Sequence, residues 1–130
     1  MKFFKLRIVQ KSKTHYILTN FLGKELGVLD IVFCPDEVEI TRFWVHPKYR
    51  GKKKRYGKQL LDAMIYYVKR NTNCKHIKVV PKPDELSYGK KMQCAKKMSV
   101  DELYRKYTNL GFQFKDKSQS PYRKIMYLHI

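Results

Sequence analysis

Val45-His46-Pro47-Lys48-Tyr49-Arg50-Gly51-Lys52-Lys53-Lys54-Arg55-Tyr56-Gly57-Lys58-Gln59-Leu60-Leu61 reads as a strand end, a basic loop containing glycine, and the first turns of a helix. Leu60, Leu61, Met64, Ile65 and Val68 extend it at the i, i+1, i+4, i+5, i+8 spacing of an amphipathic helix, predicted over residues 56–70. The first N–H groups of a helix have no partner within it and mark the positive end of its dipole. A loop that enters such a terminus with seven basic residues among the eleven from 48 to 58 is built to hold an anion. The same run also reads as a solvated basic patch or a nucleic-acid contact, and the two readings are compatible.

Upstream of this stretch the pattern is that of strands. Phe4, Leu6 and Ile8 alternate with charged residues, residues 16–21 are rich in β-formers before Gly23, and residues 26–33 continue the pattern. Pro35-Asp36 marks a turn and residues 38–45 a fourth strand, so an antiparallel meander is expected. Downstream, Ile77-Lys78-Val79-Val80 reads as a buried strand stopped by Pro81 and Pro83. Strand, helix and strand in that order imply a right-handed crossover and a parallel pair. Between 84 and 98, Lys90, Lys91, Lys96 and Lys97 flank Met92-Gln93-Cys94-Ala95, a segment that fits either a loop or an irregular helix. Ser99 with Glu102 forms a capping-box pattern, and Val100, Leu103, Tyr104, Tyr107 and Leu110 make a helical stripe that Gly111 ends. Phe112-Gln113-Phe114 and residues 125–130 read as closing strands around a polar turn at 116–120. With no repeat and no linker, residues 1–130 are expected to form one α/β domain.

Charge bounds the partners. Twenty-nine Lys and Arg against 11 Asp and Glu give +18, an excess that favours phosphate-bearing or acidic partners, so nucleic acid or an acidic protein is a candidate. Cys34, Cys74 and Cys94 form no C-x-x-C pair, which fits a reduced, cytoplasmic setting. His15, His46, His76 and His129 are scattered without ligand-like spacing, so no metal site is expected. The apolar positions after Met1 are broken by Lys5, Arg7 and Gln10, leaving no signal-peptide core, and no run approaches membrane-span length. A monomer and a dimer are equally compatible with the sequence.

The central stretch resembles the acetyl-CoA-binding motif of the GNAT N-acetyltransferases, V-x-P-x-Y-R-G-K-G-x-G followed by a helix. Val45, Pro47, Tyr49, Arg50, Gly51, Lys52, Gly57, Leu60 and Leu61 match it. A second match follows where Tyr107-Thr108-Asn109-Leu110-Gly111-Phe112 resembles the family's Y-x-x-L-G-F. The resemblance spans roughly residues 24–130 and implies a mixed central sheet of six to seven strands, antiparallel in its N-terminal half, flanked by helices. It further implies acetyl-CoA as cosubstrate, with Trp44, Val45, Arg50, Gly51, Lys52, Lys53, Lys54, Arg55, Tyr56, Gly57 and Lys58 as its contacts. From Arg50 to Gly57 the loop is two residues longer than the usual motif and lacks its middle glycine. The family's Asn after the fifth strand is also missing.

Acyl transfer from a thioester to an amine needs a neutral amine, donors for the developing oxyanion and a proton for the leaving thiolate. Glu39 stands six residues before Val45, where some GNAT members carry a glutamate base. By strand alternation Glu37 and Glu39 also share one face, as an outward pair of carboxylates would. Tyr107 matches the family tyrosine that donates a proton to the thiolate; it also fits as a packing residue, with Tyr104 as an alternative donor. The oxyanion donor implied by the resemblance is the backbone N–H of Val45, and Phe43 and Trp44 would line the acyl channel or fill core. The expected function is a CoA-dependent N-acyltransferase, acetyl being the expected group, acting on a primary amine of an acidic or nucleic-acid-linked acceptor. The alternative is an inactive GNAT-like basic module that binds nucleic acid or another polyanion.

Overall fold

The computed structural model describes residues 6–50, 55–81, 99–115 and 124–130. Gly51, Lys52, Lys53 and Lys54, the Lys-rich segment at 84–98 and the polar turn at 116–120 lie outside the described residues.

Strands β1 (Arg7–Ser12), β2 (His15–Thr19), β3 (Glu25–Phe33) and β4 (Glu37–Val45) form an antiparallel meander. A short 3-10 turn at Pro47–Tyr49 leads through the basic loop to α1 (Tyr56–Asn71), then β5 (His76–Val79), α2 (Val100–Asn109), β6 (Gln113–Phe114) and β7 (Met126–His129). The seven-stranded sheet runs β1-β2-β3-β4-β5-β7-β6, with β4 and β5 parallel, as a strand-helix-strand crossover requires. The mixed sheet expected from the sequence is present, with boundaries displaced by one residue at most of the helix and strand ends predicted around the central stretch.

One face of the sheet is packed by the helices. Leu60, Leu61, Met64 and Val68 of α1 are each at most 2% exposed, and burying a side chain of this size stabilises the fold by about 2 kcal/mol. On α2, Leu103, Tyr104 and Tyr107 join the same core. Ser99 accepts from the Glu102 N–H at 3.1 Å while the Glu102 carboxylate accepts from the Ser99 N–H at 3.2 Å, closing the capping box. The helix ends where Gly111 takes φ 102, a conformation that favours glycine.

The register between β3 and β4 decides which side chains face the helices. Asp30 pairs with Arg42 and Ile31 with Ile40, so Thr41 is an extra residue in β4. Alternation is reset there: Val38, Ile40, Phe43 and Val45 all join the helix-side core. Glu37, Glu39, Arg42 and Trp44 take the opposite face. On that face Lys78 Nζ lies 3.9 Å from both Glu37 and Glu39, Arg42 reaches Asp30 at 2.5 Å, and Trp44 packs with Ile17 and Val28.

Candidate active site

β4 and β5 pair from Glu37↔His76 to Ile40↔Val79 and no further, while β4 runs on to Val45. Among the described residues, the last five residues of β4 therefore have no strand on the β5 side. His46 N–H donates to the Leu26 carbonyl at 2.7 Å. Since hydrogen-bonded and non-bonded pairs alternate in an antiparallel ladder, the neighbouring Val45 turns its N–H and C=O away from β3, towards that opening. The Val45 carbonyl is met there by Arg50 Nε at 2.7 Å. Its N–H points the same way.

Arg50 is placed by the 3-10 turn. His46 Nδ1 accepts from the Lys48 N–H at 3.1 Å and Arg50 N–H donates to the Pro47 carbonyl at 3.2 Å, so the chain reverses immediately after β4. Burial, with Lys24, Arg50 and Lys48 nearby, lowers the pKa of His46, in keeping with a neutral ring accepting at Nδ1. Burial likewise pulls Arg50 down, with Glu102 acting in the opposite sense.

The chain then enters α1 without a cap. Arg55, at the N-cap position, has φ 53 and ψ 49 and makes no side-chain capping bond, and the first turn holds no acidic residue. The first bond into the helix is Gln59 N–H to the Arg55 carbonyl at 3.0 Å, so the N–H groups of Tyr56, Gly57 and Lys58 have no acceptor within the helix. A left-handed residue followed by helical ones turns successive N–H groups into a concave nest suited to an anion. Gly57 packs against Phe43, where an added Cβ would stand 3.6 Å from Cζ, so the helix start sits directly on β4.

These parts enclose a cleft of about 700 Å³ lined by Val45, Tyr49, Arg50, Arg55, Tyr56, Gly57, Lys58, Lys106, Asn109 and Leu110. Arg50, Arg55 and Lys58 beside an uncapped helix terminus, with no carboxylate among the described lining residues, fit a diphosphate group. The cleft gathers Val45, Arg50, Arg55, Tyr56, Gly57 and Lys58 from the residues expected in the sequence. Trp44 is not among them: strand alternation puts its side chain on the opposite face, with Ile17 and Val28. Glu39 also faces that side, with Lys78. Tyr107 is 4% exposed and packs behind the cleft, its ring 6.0 Å from Phe43 and 5.4 Å from Phe112. Tyr104 turns instead to Phe114.

Of the lining residues, the sequence reading missed Lys106 altogether and held Tyr49, Asn109 and Leu110 only as motif positions, not as contacts. Lys106 had a visible signal: it stands three residues after Leu103 and four before Leu110, on the apolar stripe of α2 where a lysine has no packing reason to be. Its Nζ lies 4.4 Å from the centre of the Phe43 ring. Among the described residues, no group of three or more His, Cys, Asp or Glu is placed to hold a metal, and no helix is long and apolar enough to cross a membrane.

The chain belongs to the GNAT acetyltransferases: the family model described as an acetyltransferase (GNAT) domain matches residues 11–113. No curated protein matches the sequence. Among solved structures, a GNAT-family acetyltransferase from Staphylococcus aureus is similar with TM-score 0.62 and 16% identity, over 88% of this chain and 66% of that one. An acetyltransferase from Streptococcus agalactiae is similar with TM-score 0.63 and 17% identity, over 89% and 66%. PaiA N-acetyltransferase from Thermoplasma acidophilum, solved with coenzyme A, is similar with TM-score 0.60 and 15% identity, over 89% and 60%. At such identities the likeness is one of fold. This chain spans 60–66% of the length of these three proteins.

Proposed function

We propose that the chain is a CoA-dependent N-acetyltransferase whose cosubstrate lays its diphosphate on the open terminus of α1 and its thioester along the unpaired end of β4. The uncapped, cation-lined start of α1, directly beside a free strand edge, carries this reading. Acetyl-CoA supplies the activated acyl group. Arg50, Arg55 and Lys58 hold the phosphates with the N–H groups of Tyr56 and Gly57, and the family resemblance adds Gly51, Lys52, Lys53 and Lys54 as further candidates. The N–H of Val45, directed at the opening, serves as donor to the carbonyl oxygen where charge develops.

Tyr107 protonates the departing thiolate from the helix side, where its neighbour Phe43 borders the opening. Glu39, at the last but one paired position of β4, takes a proton from the amine through water on the other side. Acid and base thus stand on opposite faces of the sheet and meet through the gap between β4 and β5. The charge of +18 favours an acidic or nucleic-acid-linked amine as acceptor.

Thiol release from acetyl-CoA, followed with a thiol-reactive dye against a panel of acidic peptides and aminoacylated RNA, tests the activity. Tyr107→Phe should lower turnover roughly 10–100-fold and leave CoA affinity within about twofold, because only the proton donor is lost. Undiminished turnover in that variant removes Tyr107 from the role. For a favoured acceptor, KM should rise with salt; a salt-independent KM contradicts charge-guided acceptor binding.

A further inference from the structure

Lys106 enters the cleft from α2, sharing it with Arg50, Arg55 and Lys58. Its side chain is partly buried, its ammonium lies 4.4 Å from the Phe43 ring centre and 6.0 Å from that of Tyr107, and among the described residues it makes no ion pair. The same Phe43 ring touches the start of α1 at Gly57. One aromatic ring therefore separates this ammonium from the open helix terminus. The other charged and titratable groups lining the cleft are Tyr49, Arg50, Arg55, Tyr56 and Lys58, and on its own helix Glu102 lies one turn away. A partly buried cation held among cations is poorly stabilised until an anion arrives.

We propose that Lys106 is a further phosphate-binding cation of the cleft, delivered from α2 across the Phe43 ring to the diphosphate of a nucleotide cosubstrate at the start of α1. This rests on the cosubstrate reading above and gives it a measurable signature. Burial, reinforced by Arg50, brings the Lys106 amine down to about 8. A phosphate placed beside it favours the ammonium, so near and above that pH the complex binds a proton that the free protein lacks. CoA affinity then falls as pH rises past 8, approaching a limit of about tenfold per pH unit for one linked proton.

Calorimetric titration of the full chain with CoA from pH 7 to 9, in two buffers of different ionisation enthalpy, reads this uptake directly. The protein should take up close to one proton at the alkaline end. Lys106→Arg, whose charge is fixed, should bind CoA with no linked uptake, and any ionisation of CoA itself is common to both proteins. Lys106→Met should bind about tenfold more weakly at pH 7, the scale of one charge-assisted contact, while melting no lower than the parent. Tight binding with no uptake, together with Lys106→Met within twofold of the parent, overturns the role of Lys106 and leaves the cosubstrate reading standing. Absence of CoA binding at every pH overturns both.

Discussion

The two helices begin in opposite ways. α2 opens with a complete capping box and with Asp101 and Glu102 in its first turn, so its N–H groups and dipole are answered by its own sequence. α1 opens on a left-handed arginine, with no side-chain cap, no acid in its first turn, and cations around it. Among the described residues, Arg55 is the only non-glycine residue at positive φ. The structural helix is closed on itself, and the helix beside the strand opening is left to be completed by something anionic. A stable fold does not require that difference; a phosphate-binding site does.

Giving α1 the chemistry of α2 should have the largest effect. The double variant Arg55→Ser/Lys58→Glu writes a capping-box sequence, which closes only once residue 55 leaves the left-handed region for extended backbone. It also removes two cations, breaks the Lys58–Asp62 pair and adds a carboxylate. CoA affinity should drop by about 100-fold or more while the melting temperature changes little, since a cap worth about 1 kcal/mol offsets the lost Lys58–Asp62 pair and the repulsion between the new carboxylate and Asp62. Affinity within threefold of the parent would mean that the helix terminus is not the site.

Next in size is the cost of holding Lys106 without an anion. Its amine titrates near 8 in the folded protein, below the ordinary value of 10.5, so the unfolded chain binds more protons between those limits. Folding is therefore penalised fully below pH 8, and the penalty disappears as pH rises towards 10.5. Lys106→Met should stabilise the ligand-free protein at pH 7 by about 1–2 kcal/mol, allowing for solvent screening and the lost cation–ring contact. In chemical denaturation that gain should shrink steadily above pH 8; a gain independent of pH would contradict the assignment.

Ser99→Ala tests the closed helix. It should lower stability by about 1 kcal/mol and leave CoA affinity unchanged, the reverse of the α1 variant. The smallest effect is expected of Arg55→Gly, where relief of left-handed strain is offset by the greater freedom of glycine in the unfolded chain. Stability should move by less than about 0.5 kcal/mol, with CoA affinity falling several-fold for the lost cation.

Elements with strong periodicity were legible before the structure. The α1 stripe from Leu60 to Val68, the capping box at Ser99 and the meander up to Val45 each follow from local pattern, and each is where that pattern puts it. The bulge at Thr41 was not legible, because one extra residue in a strand leaves no mark in composition. It also decides that Phe43 and Val45, rather than Arg42 and Trp44, share the helix-side face with Val38 and Ile40. Lys106 was overlooked for a different reason: a basic residue in so basic a chain draws no notice until the apolar residues on either side of it are placed on one helical face. The uncapped start of α1 was visible as an absence of Ser, Thr, Asp or Asn before Tyr56, though not the left-handed turn that opens it.

Thermal unfolding of the chain with increasing CoA tests the central claim most directly. A ligand that binds only the folded state at 100 times its Kd adds about 2.7 kcal/mol, which for a chain of 130 residues is a rise of roughly 10 °C. The parent should show that rise, growing with the logarithm of CoA concentration, and the Arg55→Ser/Lys58→Glu variant should show almost none. An unchanged melting temperature of the parent at millimolar CoA, or an equal rise in both proteins, would contradict the account.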